Sequence, residues 1–225
     1  MGYILPEIYK SICNDIQQPL PEIFIETGTA KGGVPHLIME KTYELDTCFK
    51  KYYTIELGKN ICKIASRRYK YFEEYNFQPP HNLMYGEEID ESFNKDQEYF
   101  NNRLKLINGD SGTEIREILK NINEPCCFWL DAHSGAESYA RGGIDVPLIQ
   151  ELEQIKNHHI KNHIIAIDDA HLFGKKQTNK KGELVCDYSN VPYEVVKNKI
   201  LEINPNYDVG IYAPYNMEMV IAFVS

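Results

Sequence analysis

Five short apolar runs recur along this chain, Ile23–Glu26, Tyr52–Glu56, Leu104–Asn108, Cys126–Asp131 and Ile164–Asp168, with room for a helix between successive members. Runs of this length are too short to be helices. The β-branched residues Ile164, Ile165 and Ile167 suit a strand covered on both faces. Between the runs, Val34–Tyr43, Lys59–Glu74, Ser111–Ile122 and Val146–Asn157 carry apolar residues at helical spacing. Strand and helix alternating in this way predict an α/β fold on a Rossmann-like, doubly wound, mostly parallel sheet. The rhythm breaks near the end, where Asp208–Ala213 and Glu218–Val224 are separated only by Pro214–Met217. So short a connection predicts an antiparallel strand pair, bringing the expected total to seven.

A length of 225 residues fits one domain spanning 1–225, with residues 1–21 as a leading segment. Two polar, non-periodic stretches, 76–103 and 175–190, read as insertions or loops, the second as a lid beside the strand before it. With 43% hydrophobic and 25% charged residues, the chain is neither disordered nor collagen-like. Its 24 Lys+Arg against 33 Asp+Glu give a net charge of -9, which repels a phosphate backbone and argues against nucleic-acid partners. No run approaches the roughly 18 apolar residues of a membrane span, and no basic-then-apolar leader opens the chain. Six cysteines without a CxxC pair read as reduced core thiols rather than a zinc site, so the expected location is cytoplasmic, without membrane partners. The composition is compatible with a homo-oligomer.

The first apolar run leads into Glu26-Thr27-Gly28-Thr29-Ala30-Lys31-Gly32-Gly33. Glycines at a strand-to-helix turn let the backbone approach a ligand, and an acid at the strand end can accept hydrogen bonds from it. An ordinary tight turn would read the same way. The spacing is not GxGxxG, and Glu26 would sit badly beside a pyrophosphate, which disfavours a nicotinamide dinucleotide. This segment resembles the first motif of the class I S-adenosylmethionine-dependent methyltransferases. The resemblance implies that Glu26, Thr27, Gly28, Thr29, Gly32 and Gly33 cradle the amino-acid end of S-adenosylmethionine. It further implies that Glu56 holds the ribose hydroxyls, that Asp110 and Ser111 contact the adenine, and that Asp131 borders the cofactor. Taken singly, each acid could equally cap a helix.

The runs Phe128-Trp129-Leu130-Asp131-Ala132-His133 and Ile165-Ala166-Ile167-Asp168-Asp169-Ala170-His171 both end in Asp and His. As neighbouring parallel strands about 4.8 Å apart, they would bring these side chains together at the ligand-binding edge of the sheet. Asp168 and Asp169 can converge only if the strand turns there. Clustered carboxylates repel one another, and a divalent cation would neutralise them. Asp131, Asp168 and Asp169 are the proposed ligands for Mg²⁺ or Mn²⁺, and direct ligation by His133 or His171 would shift the preference toward Mn²⁺ or a later transition metal. This pattern is similar to the metal-dependent sugar O-methyltransferases of the macrocin O-methyltransferase type, which implies the same three aspartates as metal ligands. A hydrogen-bonded polar edge without metal is the alternative.

Methyl transfer to an alcohol requires positioning of the acceptor oxygen and removal of its proton. His133 is the first candidate base and Asp131 the second. Arg141 and His171 are candidate acceptor contacts, Arg141 for a phosphate on an activated sugar. The expected activity is therefore S-adenosylmethionine-dependent O-methylation of a sugar hydroxyl, such as that of a nucleotide sugar or polysaccharide precursor. A catechol-like or other small hydroxylated acceptor is the second reading, and a non-catalytic cofactor-binding or scaffolding domain the third.

Overall fold

Along the first strand, Ile23 and Ile25 join one apolar cluster and Phe24 the other, so both faces of the sheet are buried from its centre outward. The computed structural model describes residues 14, 21–32, 49–75, 93–100, 102–135, 140–213 and 218–224. The expected helix over Val34–Tyr43, Gly33, and most of the 1–21 and 76–103 segments lie outside the described residues. The strands are β1 (Ile23–Thr27), β2 (Lys51–Glu56), β3 (Asp96–Tyr99), β4 (Leu104–Asn108), β5 (Cys126–Leu130) and β6 (Ile164–Ile167). They continue with β7 (Lys176–Thr178), β8 (Leu184–Asp187), β9 (Tyr207–Tyr212) and β10 (Met219–Val224). The helices among the described residues are α1 (Lys59–Tyr75), α2 (Ser111–Leu119), α3 (Leu148–Asn157) and α4 (Tyr193–Ile203).

Eight strands form the main sheet in the order β3-β4-β2-β1-β5-β6-β10-β9. The five strands from β4 to β6 are parallel, and β10 runs antiparallel to both β6 and β9. This is the expected doubly wound sheet with its terminal antiparallel pair. Helices α2, α3 and α4 cover one face through Ile115, Leu152, Ile155, Val196 and Ile200, while α1 contributes Cys62, Ala65 and Tyr69 to the other. Every residue of β1, β5 and β6 is buried, which accounts for the unbroken apolar character of β5, β6 and the first three residues of β1.

Three elements differ from the sequence reading. Strand β3, Asp-Gln-Glu-Tyr, is an eighth strand within a stretch expected to be loop. It pairs antiparallel with β4 at the sheet edge, where only Tyr99 is buried and Lys105 reaches Asp96 at 2.9 Å. A polar sequence is well suited to an edge that must not recruit further strands. The 175–190 stretch holds a two-stranded ribbon, β7–β8. Helix α4 is an additional element whose inward face, Val196, Ile200 and Ile203, follows four- and three-residue steps.

The turn after β1 shows why glycine is needed there. Gly28 has φ +79°, and a Cβ at that position would stand 2.3 Å from the carbonyl oxygen of Asp131. Both effects oppose any side chain. Gly28→Ala should therefore cost about 3 kcal/mol or more in a urea melt. Gly182→Ala, at φ +80° with open space around it, should cost only about 1 kcal/mol. Equal losses would mean that contact with the Asp131 backbone is unimportant.

Candidate active site

The carboxyl ends of β1, β2, β4, β5 and β6 surround a cavity of about 730 Å³, within the range of small-ligand sites, roughly 300–1,000 Å³. Glu56, at the end of β2, lines it. Its Oε2 accepts the Ala30 N–H at 2.9 Å and its Oε1 the Gly58 N–H at 2.8 Å, which fixes the carboxylate while leaving lone pairs for a ligand. Burial raises the Glu56 pKa, and those two N–H groups offset part of the rise. Asp110 and Ser111 also line the cavity; Asp110 Oδ1 accepts the Gly112 N–H at 2.9 Å and so caps α2. Gly28 and Ala30 supply backbone to the same wall.

Not every residue of the glycine-loop motif faces this cavity. Glu26, Thr27 and Thr29 are buried and, like Gly32, are absent from its lining. The Thr54 hydroxyl donates to Glu26 Oε2 and also meets the Thr29 hydroxyl. Burial first, with the nearby Glu56 charge adding to it, pushes the Glu26 pKa up to about 8 against that hydrogen bond. Gly32 packs beneath the Tyr69 ring. These residues shape the loop from behind.

At the ends of β5 and β6 the structure gathers Asp131, His133 and Asp169, with one potential ligand atom from each lying within 4.8 Å of the others. His133 Nε2 is 3.6 Å from Asp131 Oδ1 and 3.4 Å from Asp169 Oδ2. Strand β6 stops at Ile167, and Asp169 takes a left-handed conformation, φ +56°, which supplies the turn that convergence requires. Asp168 lines the cavity but is not a member of the trio, so the geometric cluster substitutes His133 for the Asp168 of the expected ligand set. Asp131 has its pKa raised by burial and then by the charges of Asp168 and Asp169. Burial likewise raises Asp168.

The residues expected to contact an acceptor are placed otherwise. Arg141 lies outside the cavity lining and directs Nη2 to the carbonyls of Leu184 and Val185, at 3.4 and 3.1 Å. His171 is half-exposed, 3.9 Å from Asp169 Oδ1, and also outside the lining. The β7–β8 ribbon is hydrogen-bonded to the residues around it. Besides Arg141, the Asp187 N–H reaches Asp145 Oδ2 at 3.1 Å, and the Tyr188 hydroxyl donates to Asp169 Oδ2 at 3.3 Å. Its Gln177 and Val185 form part of the cavity wall.

The sequence reading passed over Gln177, Tyr188 and Glu151. The first two come from a Lys-rich stretch without periodicity and carried no signal. Glu151 did carry one, as an acid on the same helical face as Leu148, Leu152 and Ile155. Its carboxylate is fully buried, and neither oxygen has a hydrogen bond of normal geometry.

No protein-family model matches the chain, and no curated protein sequence matches it. Solved structures do match in fold. The methyltransferase PaMTH1 of Podospora anserina, solved with S-adenosylhomocysteine bound, superposes with a TM-score of 0.52 at 12% identity, over 96% of this chain and 75% of that one. The fold is that of methyltransferases. A Klebsiella pneumoniae protein assigned as an O-methyltransferase gives a TM-score of 0.51 at 10% identity, covering 99% and 81%. An rRNA methylase of Streptococcus thermophilus gives 0.50 at 11% identity, covering 100% and 98%.

Burial raises the Glu151 pKa to about 7, with the Ser111 and Thr27 hydroxyls acting in the opposite direction. Because the folded-state value lies above the unfolded one, Glu151 favours folding fully below about pH 4.5, and this contribution is withdrawn as pH rises through 7. The loss amounts to about 3 kcal/mol at most. Urea titrations between pH 5 and pH 8 should show stability falling with pH, and Glu151→Gln should make the fall shallower. Identical slopes would show that Glu151 is ionised throughout.

Proposed function

We propose that this protein is an S-adenosylmethionine-dependent O-methyltransferase that uses a divalent cation and acts on a small hydroxylated acceptor. The observation that carries the reading is the convergence of Asp131, His133 and Asp169 on the same cavity that Glu56 and Asp110 line. In the shared fold, ligands collect at the carboxyl edge of the sheet where the strand order reverses, and this cavity lies there. Glu56, held by two backbone N–H groups, is suited to a ribose diol, and Asp110 with Ser111 to the base beyond it. Bound S-adenosylmethionine would supply an activated methyl on a sulfonium, and a divalent cation would stabilise an alkoxide.

The residues then have separable tasks. The acceptor hydroxyl is oriented between the ribbon wall, at Gln177 and Val185, and the Asp131–His133–Asp169 cluster. Its proton passes to the Asp131–His133 pair, 3.6 Å apart. Ala140, Gly142 and Ile144 border the same cavity.

A sugar hydroxyl is the favoured acceptor. Gln177, Asp145 and Ser134 in the cavity wall offer the donors and acceptors that a polyhydroxylated ring uses. A catechol-like acceptor is the second reading, supported by Leu57 and Ile144, large apolar residues left 39% and 53% exposed at the cavity. The likeness to an rRNA methylase is one of fold, and the net charge of -9 argues against an RNA acceptor.

Calorimetry should show S-adenosylmethionine binding. Labelled methyl transfer, assayed on nucleotide sugars and on vicinal diphenols, should stop on chelation and return with Mg²⁺ or Mn²⁺. Asp169→Ala should lower turnover roughly 100-fold. Cofactor binding without transfer to either acceptor class would favour a scaffolding role, and no cofactor binding would end the reading.

A further inference from the structure

His133 forms two kinds of contact that together fix what its ring can do. Its Nδ1 lies 2.8 Å from the Ser134 carbonyl oxygen. A carbonyl only accepts, so Nδ1 carries the hydrogen, and in the neutral ring Nε2 is left with a bare lone pair. Nε2 itself lies 3.6 Å from Asp131 Oδ1 and 3.4 Å from Asp169 Oδ2. A ring nitrogen and two carboxylate oxygens gathered this closely attract positive charge, which a proton on Nε2 or a bound cation supplies. A backbone carbonyl behind a histidine, with the opposite nitrogen free, is also the arrangement that orients imidazole ligands on metals.

The two separations from Nε2 are within the span of one ion: two ligand atoms each about 2.1 Å from a metal lie about 3.0 Å apart at a right angle, about 3.4 Å at a tetrahedral angle and about 4.2 Å at most. Asp169 has further support, since Tyr188 donates to the same oxygen, Oδ2, and holds its carboxylate against the ribbon. Asp168 is not in the trio. An imidazole with two carboxylates differs from an all-oxygen set: oxygen ligands suit Mg²⁺, whereas a ring nitrogen moves affinity toward Mn²⁺ and later transition metals.

We infer that His133 is a direct metal ligand through Nε2, completing an Asp131–His133–Asp169 site that selects Mn²⁺ or a later divalent transition metal over Mg²⁺. The inference deepens the metal-dependent reading above and rests on it. Use of Nε2 as a ligand excludes its use as the proton acceptor.

The test uses the full chain without S-adenosylmethionine and Mn²⁺ alone as the probe, followed by electron paramagnetic resonance. One Mn²⁺ should bind per chain, and a tenfold excess of Mg²⁺ should leave most of it bound. Pulsed spectra should show coupling to a histidine nitrogen. His133→Ala should weaken Mn²⁺ binding by about tenfold or more, and Asp168→Asn by less than about threefold. Should His133→Ala fail to fold, the nitrogen coupling in the unaltered protein still decides. Absence of bound Mn²⁺, binding without nitrogen coupling, or displacement by equimolar Mg²⁺ would each overturn the inference. Calorimetry with S-adenosylmethionine in the presence of a chelator separates the two readings. Cofactor binding without Mn²⁺ binding removes only the metal site, and Mn²⁺ binding without cofactor binding removes only the methyltransferase.

Discussion

The contact between Gly28 and the backbone of Asp131 is where the rest of the molecule meets. From β1 the order of strands runs through β2 to β4 on one side and through β5 to β6 on the other, so the turn after β1 lies at the point of reversal. The Gly28 and Thr29 N–H groups both donate to the Ile55 carbonyl, at 2.9 and 3.1 Å, while the Asp131 N–H donates to the Thr27 carbonyl at 3.2 Å. One turn is thereby bonded to the ends of both flanking strands. Absence of a Cβ at residue 28 lets those ends close together, and Glu56 and Asp131 are carried to a common cavity by that closeness.

Much of this could be read from the chain because burial on both faces leaves an unmistakable residue pattern. Strands β1, β5 and β6 have no solvent side, so their sequences are continuously apolar and end where polar residues begin, at Glu26-Thr27, Asp131 and Asp168. The polar residues of the site are found by following such a strand to its end. Strand β3 gave no such cue, since a polar edge strand has the composition of a loop. The β7–β8 ribbon is similar: its fixed position depends on Arg141, Asp145 and Tyr188, residues up to 47 apart in the chain (Tyr188 and Arg141), and no local pattern records that.

The site shows the same division. That Asp131 and the Asp168-Asp169 pair would approach one another followed from strand adjacency. Which of them converge depends on a single backbone angle: the left-handed turn at Asp169 brings its carboxylate to His133 and Tyr188. Asp and Asn tolerate that conformation better than most residues, but the preference is too weak to locate the turn from sequence. The partner of His133 Nδ1 is a backbone carbonyl, which every residue possesses, so the ring's orientation was equally invisible.

The acids of the carboxyl edge divide by their surroundings into three classes. Glu26 and Glu151 sit behind the cavity wall, where burial favours the neutral carboxyl over the charged one. Asp110 and Glu56 border the cavity and accept hydrogen bonds from backbone N–H groups, which at Glu56 offset part of the pKa rise that burial causes. Asp131, Asp168 and Asp169 have fewer such donors and lie beside one another, so burial first and the neighbouring carboxylates after it raise the proton affinity of Asp131 and Asp168. The formal charge of -9 therefore conceals an uneven distribution at this edge. Negative charge is suppressed behind the cavity, stabilised by backbone along one part of its wall, and least compensated at the ends of β5 and β6. That last location is where a cationic ligand would gain most, and it is also where His133 Nε2 lies.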